Sequence, residues 1–261
     1  MPQESDSPMR IPSIQAMASL AFWCIATLGR DAPLDAQQPV ADTELQSTFR
    51  AWLDEECERH PVFASQQGNR DFDGRMDDLS PESRRRDRER DAETRRALHL
   101  FASSKPLSRN AAIDLEIWQG FLKYRSWQAA NSDDFANDPR IYLIYCSDSV
   151  FGLFTQSTLP KHRNLANAIS RMAEIPKVIE AAKASIQTPP KVLTEIAIKR
   201  TEGAISFYEK DLFAIAGESP QISSLASPSR LAAAALRDFK KFLEEDVLPR
   251  STGDWRIGKE R

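Results

Sequence analysis

Histidine and cysteine are scarce in this 261-residue sequence, three of each. A hydrolytic zinc centre needs closely spaced ligands, most recognisably His-Glu-x-x-His, which sets both imidazoles on one helix face. His60, His99 and His162 stand far apart and none is followed by Glu, so the chain carries no such marker. It also lacks a Gly-x-Ser-x-Gly elbow, a phosphate-binding loop and a dinucleotide fingerprint, which leaves serine-nucleophile, nucleotide and hydride chemistry without a signature. No alternating apolar–polar stretch is long enough to write a strand. Charge of one sign is missing as well: 35 Lys and Arg against 38 Asp and Glu leave a net −3, which supplies no basic field, so no nucleic-acid partner is expected.

Long apolar runs are nearly absent. The one candidate follows Arg10 and spans Ile14 to Leu28, too short for a confident membrane span but suited to the apolar core of a signal peptide. Small residues from Ala32 to Ala36 offer a cleavage neighbourhood, so residues 1–36 are expected to be a signal peptide, with Met9 a possible true start. A secreted or periplasmic domain, without a stable membrane span, would then begin at residue 37. Ala21, Phe22 and Trp23 ahead of Cys24 are not the small residues that lipoprotein processing requires, and no lipid anchor is expected there. Cleavage leaves Cys57 and Cys146, which an oxidising compartment could pair, although each sits among apolar helical positions where a free thiol packs as a small hydrophobe.

What is present is helical punctuation and helical periodicity. Leu45, Phe49, Trp52, Leu53 and Cys57 recur at three- and four-residue spacing and end at His60-Pro61, because the residue before proline is pushed out of the α region. His60 accordingly reads as a helix-end residue. Ser80-Pro81 is a cap followed by a first-turn proline, opening an Arg-rich helix whose acids stand four residues from arginines, Glu82 to Arg86 and Asp91 to Arg95; this pattern reads as a solvated face. Ser108 opens a helix with a broad apolar stripe through Ile113, Ile117, Trp118, Phe121 and Leu122. Asn137-Asp138 reads as the cap of a dense apolar helix from Ile141 to Phe154. Pro160, Pro176, Pro189-Pro190 and Pro228 then mark helix starts, and 215–227, rich in Gly, Ser and Pro, reads as a mobile loop. The expectation is one all-α, proline-punctuated domain of about eight helices.

Three stretches invite a chemical reading. Asn69 to Asp77 resembles the start of a calcium loop, but Ser80 stands where a bidentate Glu is required, so an Asp-Gly surface turn is the better reading. Asp114 and Glu116, two apart, face different directions on a helix and do not make an acid–base pair. The closing stretch Leu248-Pro249-Arg250-Ser251-Thr252-Gly253-Asp254-Trp255-Arg256-Ile257-Gly258 combines turn residues, a large aromatic and opposed charges. Arg250, Asp254, Trp255 and Arg256 could line a cleft there; alternatively Trp255 plugs a core and Arg256 pairs with an acid.

Several stretches together resemble one family: Asn137-Asp138-Pro139-Arg140 with Tyr142, Ile175-Pro176 followed by Pro189-Pro190, Thr194-Glu195, Gly203-Ala204-Ile205 with Phe207, and the closing Gly-Asp-Trp-Arg-x-Gly motif. They are similar to the N-terminal half of the bacterial domain of unknown function family 885, whose members resemble exported zinc metallopeptidases. That resemblance implies a helical scaffold and places the zinc ligands in a C-terminal half that this sequence lacks. No catalytic or metal-binding residue carries over, zinc is expected only with that other half, and a peptide-like substrate is implied only through the family. The chain is therefore expected to be a non-catalytic fragment of a hydrolase-family protein, with a separately encoded C-terminal half as a possible partner. The alternative is a stand-alone periplasmic helical binding or interaction module.

Overall fold

In the computed structural model, residues 39–104 and 106–256 are described. The expected signal peptide, with Met9 and Cys24, lies outside them, as do Ile257 and Gly258 of the closing motif. The described residues contain no strand, and eight helices are longer than a single turn. They are α1 (Val40–Arg59), α2 (Pro61–Gln66), α3 (Pro81–Ser104), α4 (Arg109–Asn131), α5 (141–155), α6 (Lys161–Ser185), α7 (191–216) and α8 (226–250). A single helical turn, Asp134–Asn137, joins α4 to α5.

The caps show why these segments begin where they do. Ser80 Oγ accepts from Ser83 N at 3.1 Å, and Ser108 Oγ accepts from Ala111 N at 3.2 Å, each meeting an amide that a first helical turn leaves orphaned. His60 leaves the α region at φ −122°, ψ 66°, and Pro61 opens α2 at once, which kinks the chain between α1 and α2. The cap expected at Asn137-Asp138 falls earlier: Asp133 accepts from Ala136 N at 3.2 Å, while Asp138 accepts from Arg140 N at 3.0 Å and shapes the turn before α5.

Two expectations are corrected. Pro176 does not start a helix but lies inside the 25-residue α6. An interior proline removes the hydrogen bond to the carbonyl four residues back, at roughly 3 kcal/mol. Here Met172, Ile175, Val178 and Ile179 are all buried on both sides of it, and a break would turn that face out of the core. The loop expected over 215–227 is also shorter: α7 runs to Ala216, and a 3-10 turn, Ile222–Leu225, leads into Ala226. Leu225 is fully buried and anchors that turn, so the polar composition of the stretch belongs to its outer side.

Apolar burial divides into two cores. The larger is built by α5 to α8, around Tyr142, Met172, Ile175, Tyr208, Leu236 and Phe239, all shielded from solvent. The smaller is built by α1, α3 and α4 around Leu45, Trp52, Leu98, Leu115, Trp118 and Leu122. Three π turns interrupt the long helices, at Ile144–Asp148, Phe207–Asp211 and Leu243–Val247. A π turn shifts carbonyls out of the regular ladder. The Cys146 carbonyl in the first accepts from Tyr208 Oη in the second, and the Tyr208 carbonyl accepts from Ser229 Oγ of α8, which locks α5, α7 and α8 together.

Arg171 of α6 is 1% exposed and pins the segment after α2 to the larger core. Its guanidinium donates to the carbonyls of Arg75 (3.0 Å) and Ser149 (2.7 Å) and to Ser65 Oγ (2.6 Å). Burial depresses its pKa to about 10, with the Asp73 and Asp77 charges only partly offsetting that. The Asn69 to Asp77 stretch is thereby committed to the fold: Asp73 accepts from Ser157 Oγ at 3.3 Å and Asp77 from Val62 N at 2.9 Å. Among the described residues, no group of three or more His, Cys, Asp or Glu is arranged to hold a metal ion.

Candidate functional site

Between the smaller core and the larger one lies a cavity of about 690 Å³, within the size range of small-ligand sites. One wall is aromatic. Phe49 and Trp52 of α1 meet Trp118 and Phe121 of α4, with Phe49–Trp118 edge-on at 5.0 Å, Trp52–Trp118 tilted at 5.5 Å and Trp52–Phe121 edge-on at 6.0 Å. Charged residues adjoin this wall, beginning one turn further along the same two helices, where Arg125 lies 5.5 Å over the Phe121 ring. α1 brings Glu56 and, at its kink, His60; the segment before α3 brings Asp77; α3 brings Asp87 and Asp91, four apart and so on one face; α4 brings Arg125.

These charges are ordered by one another. His60 Nδ1 lies 3.3 Å from Asp77 Oδ2, and its Nε2 lies 3.5 Å from Asp87 and 3.7 Å from Glu56, within ion-pair range but without a hydrogen bond. Burial opposes protonation of His60, yet the Asp77 hydrogen bond and the Glu56, Asp77 and Asp87 charges outweigh it and raise the pKa. Glu56 is held below the usual carboxylate range, because Arg125, His60 and Arg59 more than offset its own burial. Asp91 goes the other way: burial pushes it up to about 6, with Arg125 only partly compensating. Its Oδ2 receives Arg125 Nε at 2.9 Å, while Oδ1 is buried and has no partner. Tyr145, on the same wall, is driven well above its ordinary value by burial and by the Asp77 charge.

This corrects the reading of the Arg-rich helix in part. Arg85 and Arg86 stay exposed, and Glu82 pairs with Arg85 at 2.6 Å rather than with Arg86. Asp91 does not pair with Arg95 on the surface but turns inward to Arg125 of α4. Arg84 also leaves the solvated face; it lies 4.6 Å over the Phe135 ring and donates to Ser185 Oγ at 2.6 Å. His60, placed correctly at a helix end, is in addition the centre of a carboxylate cluster. Asp87 and Asp91 at helical spacing were a usable signal; Arg125, far along the chain, was not. Cys57 and Cys146 are both buried and free.

The closing stretch packs against the 186–190 turn. Arg250 donates to the Ile186 carbonyl at 3.2 Å and to that of Gln187, and Ser251 Oγ lies 2.8 Å from Thr194 Oγ1. Gly253 N donates to Pro189 O at 3.3 Å, and a Cβ on Gly253 would stand 2.2 Å from Thr188 O, so only glycine permits that approach. Pro189-Pro190, Thr194 and Leu248 to Gly253, distant in sequence, thus form one junction. Gln187 N in turn donates to Ala136 O at 2.9 Å, beside Phe135 of the cavity wall. Asp254 and Arg256 pair with each other at 2.8 Å in solvent, and Trp255 is 69% exposed rather than plugging a core. None of Arg250, Asp254, Trp255 and Arg256 is among the residues lining the cavity.

Fold and site together define an all-α protein in which a three-helix layer and a larger helical bundle enclose an aromatic and acidic cavity. The chain belongs to the family of bacterial proteins of unknown function DUF885, which matches residues 61–261. No curated protein matches the sequence. Among solved structures, the fold is similar to that of a candidate lipoprotein of unknown function from Shewanella oneidensis, with 22% identity and a TM-score of 0.67. The match covers 81% of this chain and 39% of that one, so this chain spans about two-fifths of that protein's length. No described helix is long and apolar enough to cross a membrane.

Proposed function

We propose that this helical region binds a peptide-like ligand in the cavity and is the non-catalytic N-terminal part of an exported, metallopeptidase-like protein. The observation that carries the reading is the cavity itself, about 690 Å³ with one aromatic and one acidic wall. Aromatic walls hold apolar stems at low entropy cost, and a few convergent polar groups fix orientation. The coverage of 39% of the Shewanella protein supports a larger whole, in which zinc and the catalytic residues would reside in another segment or a separately encoded partner. Arg250, Asp254, Trp255 and Arg256 would extend the cleft toward that partner, since Arg250 is tied through Gln187 and Ala136 to the edge of the cavity. Location in the periplasm or outside the cell belongs to the same proposal. A second reading is a stand-alone periplasmic binding module, which would need only the aromatic and acidic residues that α1, α3 and α4 bring to the cavity.

Zinc-dependent peptide cleavage by the purified 261-residue chain would contradict the non-catalytic reading. Saturable binding of intact peptides without cleavage is the expected result.

A further inference from the structure

We infer that the cavity selects peptides carrying a cationic side chain on an apolar stem, an arginine or lysine, with Asp91 as the counter-ion; this rests on the proposed peptide-binding role.

The first argument is charge. Nine Asp and Glu side chains line the cavity against five Arg and one His, so it is electronegative even with His60 charged, and low-dielectric walls strengthen that field. The second is an unmet bond. Asp91 has a side chain 7% exposed and one oxygen, Oδ1, with no hydrogen-bond partner. Buried polar atoms are almost always paired, and this oxygen, closed off from solvent as it stands, would meet a cationic donor in the cavity after a small rotation of the Asp91 side chain. The other carboxylates of the cluster are engaged: Glu56 by Arg59 and Arg125, Asp87 by Arg59, and Asp77 by Val62 N and His60. The third is the adjoining aromatic wall. Phe49, Trp52, Trp118 and Phe121 suit the methylene stem of Arg or Lys. Trp52 Nε1 and Trp118 Nε1, both buried without an acceptor, are available to a peptide carbonyl after a small side-chain adjustment.

Asp91 faces Glu56 and Arg59 of α1, Asp87 of its own helix and Arg125 of α4. With its pKa pushed up to about 6, it is ionised above that pH, and an arriving cation would favour the ionised form. Selection for cations should therefore weaken as pH falls below about 6.

The test is calorimetric titration of the full chain with N-acetyl-Phe-Arg-amide and its neutral citrulline counterpart, at pH 7.5 and pH 5. We expect the arginine peptide to bind at least tenfold more tightly at pH 7.5, with the preference reduced at pH 5. In Asp91→Asn the preference for the arginine peptide over the citrulline peptide should be lost, circular dichroism verifying the fold. Equal affinity for both peptides in wild type, or a preference retained in Asp91→Asn, would overturn charge selection and leave peptide binding standing. Absence of binding by either peptide would overturn both.

Discussion

Replacing Asp91 by Asn should stabilise the protein at neutral pH, although it removes one member of an ion network. Asp91 rises from an ordinary 3.8 to about 6 in the folded state. Because the folded protein holds this proton more tightly than the unfolded chain, stability falls as pH climbs from about 4 to about 6 and is level above that. About two pK units at 1.36 kcal/mol each give roughly 3 kcal/mol as the upper limit of the cost of ionised Asp91. Its side chain is only 7% exposed, so solvent screening does little to reduce the figure. Asparagine keeps the shape and an acceptor for Arg125 Nε, and Arg125 retains Glu56. Urea unfolding at pH 7.5 should show a gain of about 1–3 kcal/mol, and thermal melting a rise of roughly 2–12 °C for a domain of this size. At pH 4 the gain should shrink toward zero. A loss of stability at pH 7.5 would refute the reasoning, because it would mean that the Arg125–Asp91 pair outweighs the burial cost of the carboxylate.

Four other substitutions probe the frame around the site. Arg171→Met should cost about 3 kcal/mol or more in urea unfolding, since it removes the buried donor that serves the carbonyls of Arg75 and Ser149 and the hydroxyl of Ser65; a loss below about 1 kcal/mol would contradict its role as a pin. Gly253→Ala should detach the closing stretch from Thr188 and Pro189 and speed limited proteolysis after Arg250, whereas Gly120→Ala, with open space and a helical backbone, should stabilise by roughly 0.5–1 kcal/mol. His60→Gln should cost more at pH 5 than at pH 9. A raised histidine pKa gives stability that is present below its unfolded value, about 6.5, and lost as pH rises through the folded one; an equal loss at both pH values would show that the carboxylate contacts do not favour the protonated ring.

Helix type and order were legible because they rest on local rules. Ser80-Pro81, Ser108 and His60-Pro61 each act through their own backbone geometry and fall where expected. Pro176 was misplaced because its local preference is overridden by four core residues that a single residue's propensity does not reveal. The site was legible only in pieces. Trp52, Trp118 and Phe121 were visible as helix stripes, but stripes point to a core as readily as to a cavity. Asp91 looked like a surface acid beside Arg95, and its inward direction depends on how α3 packs against α4. The junction of Pro189-Pro190, Thr194 and Gly253 was present as scattered motif fragments. Their convergence needs the whole bundle, because the approach of Gly253 to Thr188 is a contact between distant segments.

The central claim is that this chain binds peptides in its cavity without cleaving them. It is tested most directly by incubating the purified protein with a defined peptide mixture and zinc, followed by ultrafiltration and mass spectrometry of the retained and free fractions. The prediction is a retained subset of intact peptides enriched in Arg and Lys beside apolar residues. Fragments that appear with zinc and vanish with a chelator, or a retained fraction with no peptide in it, would contradict the claim.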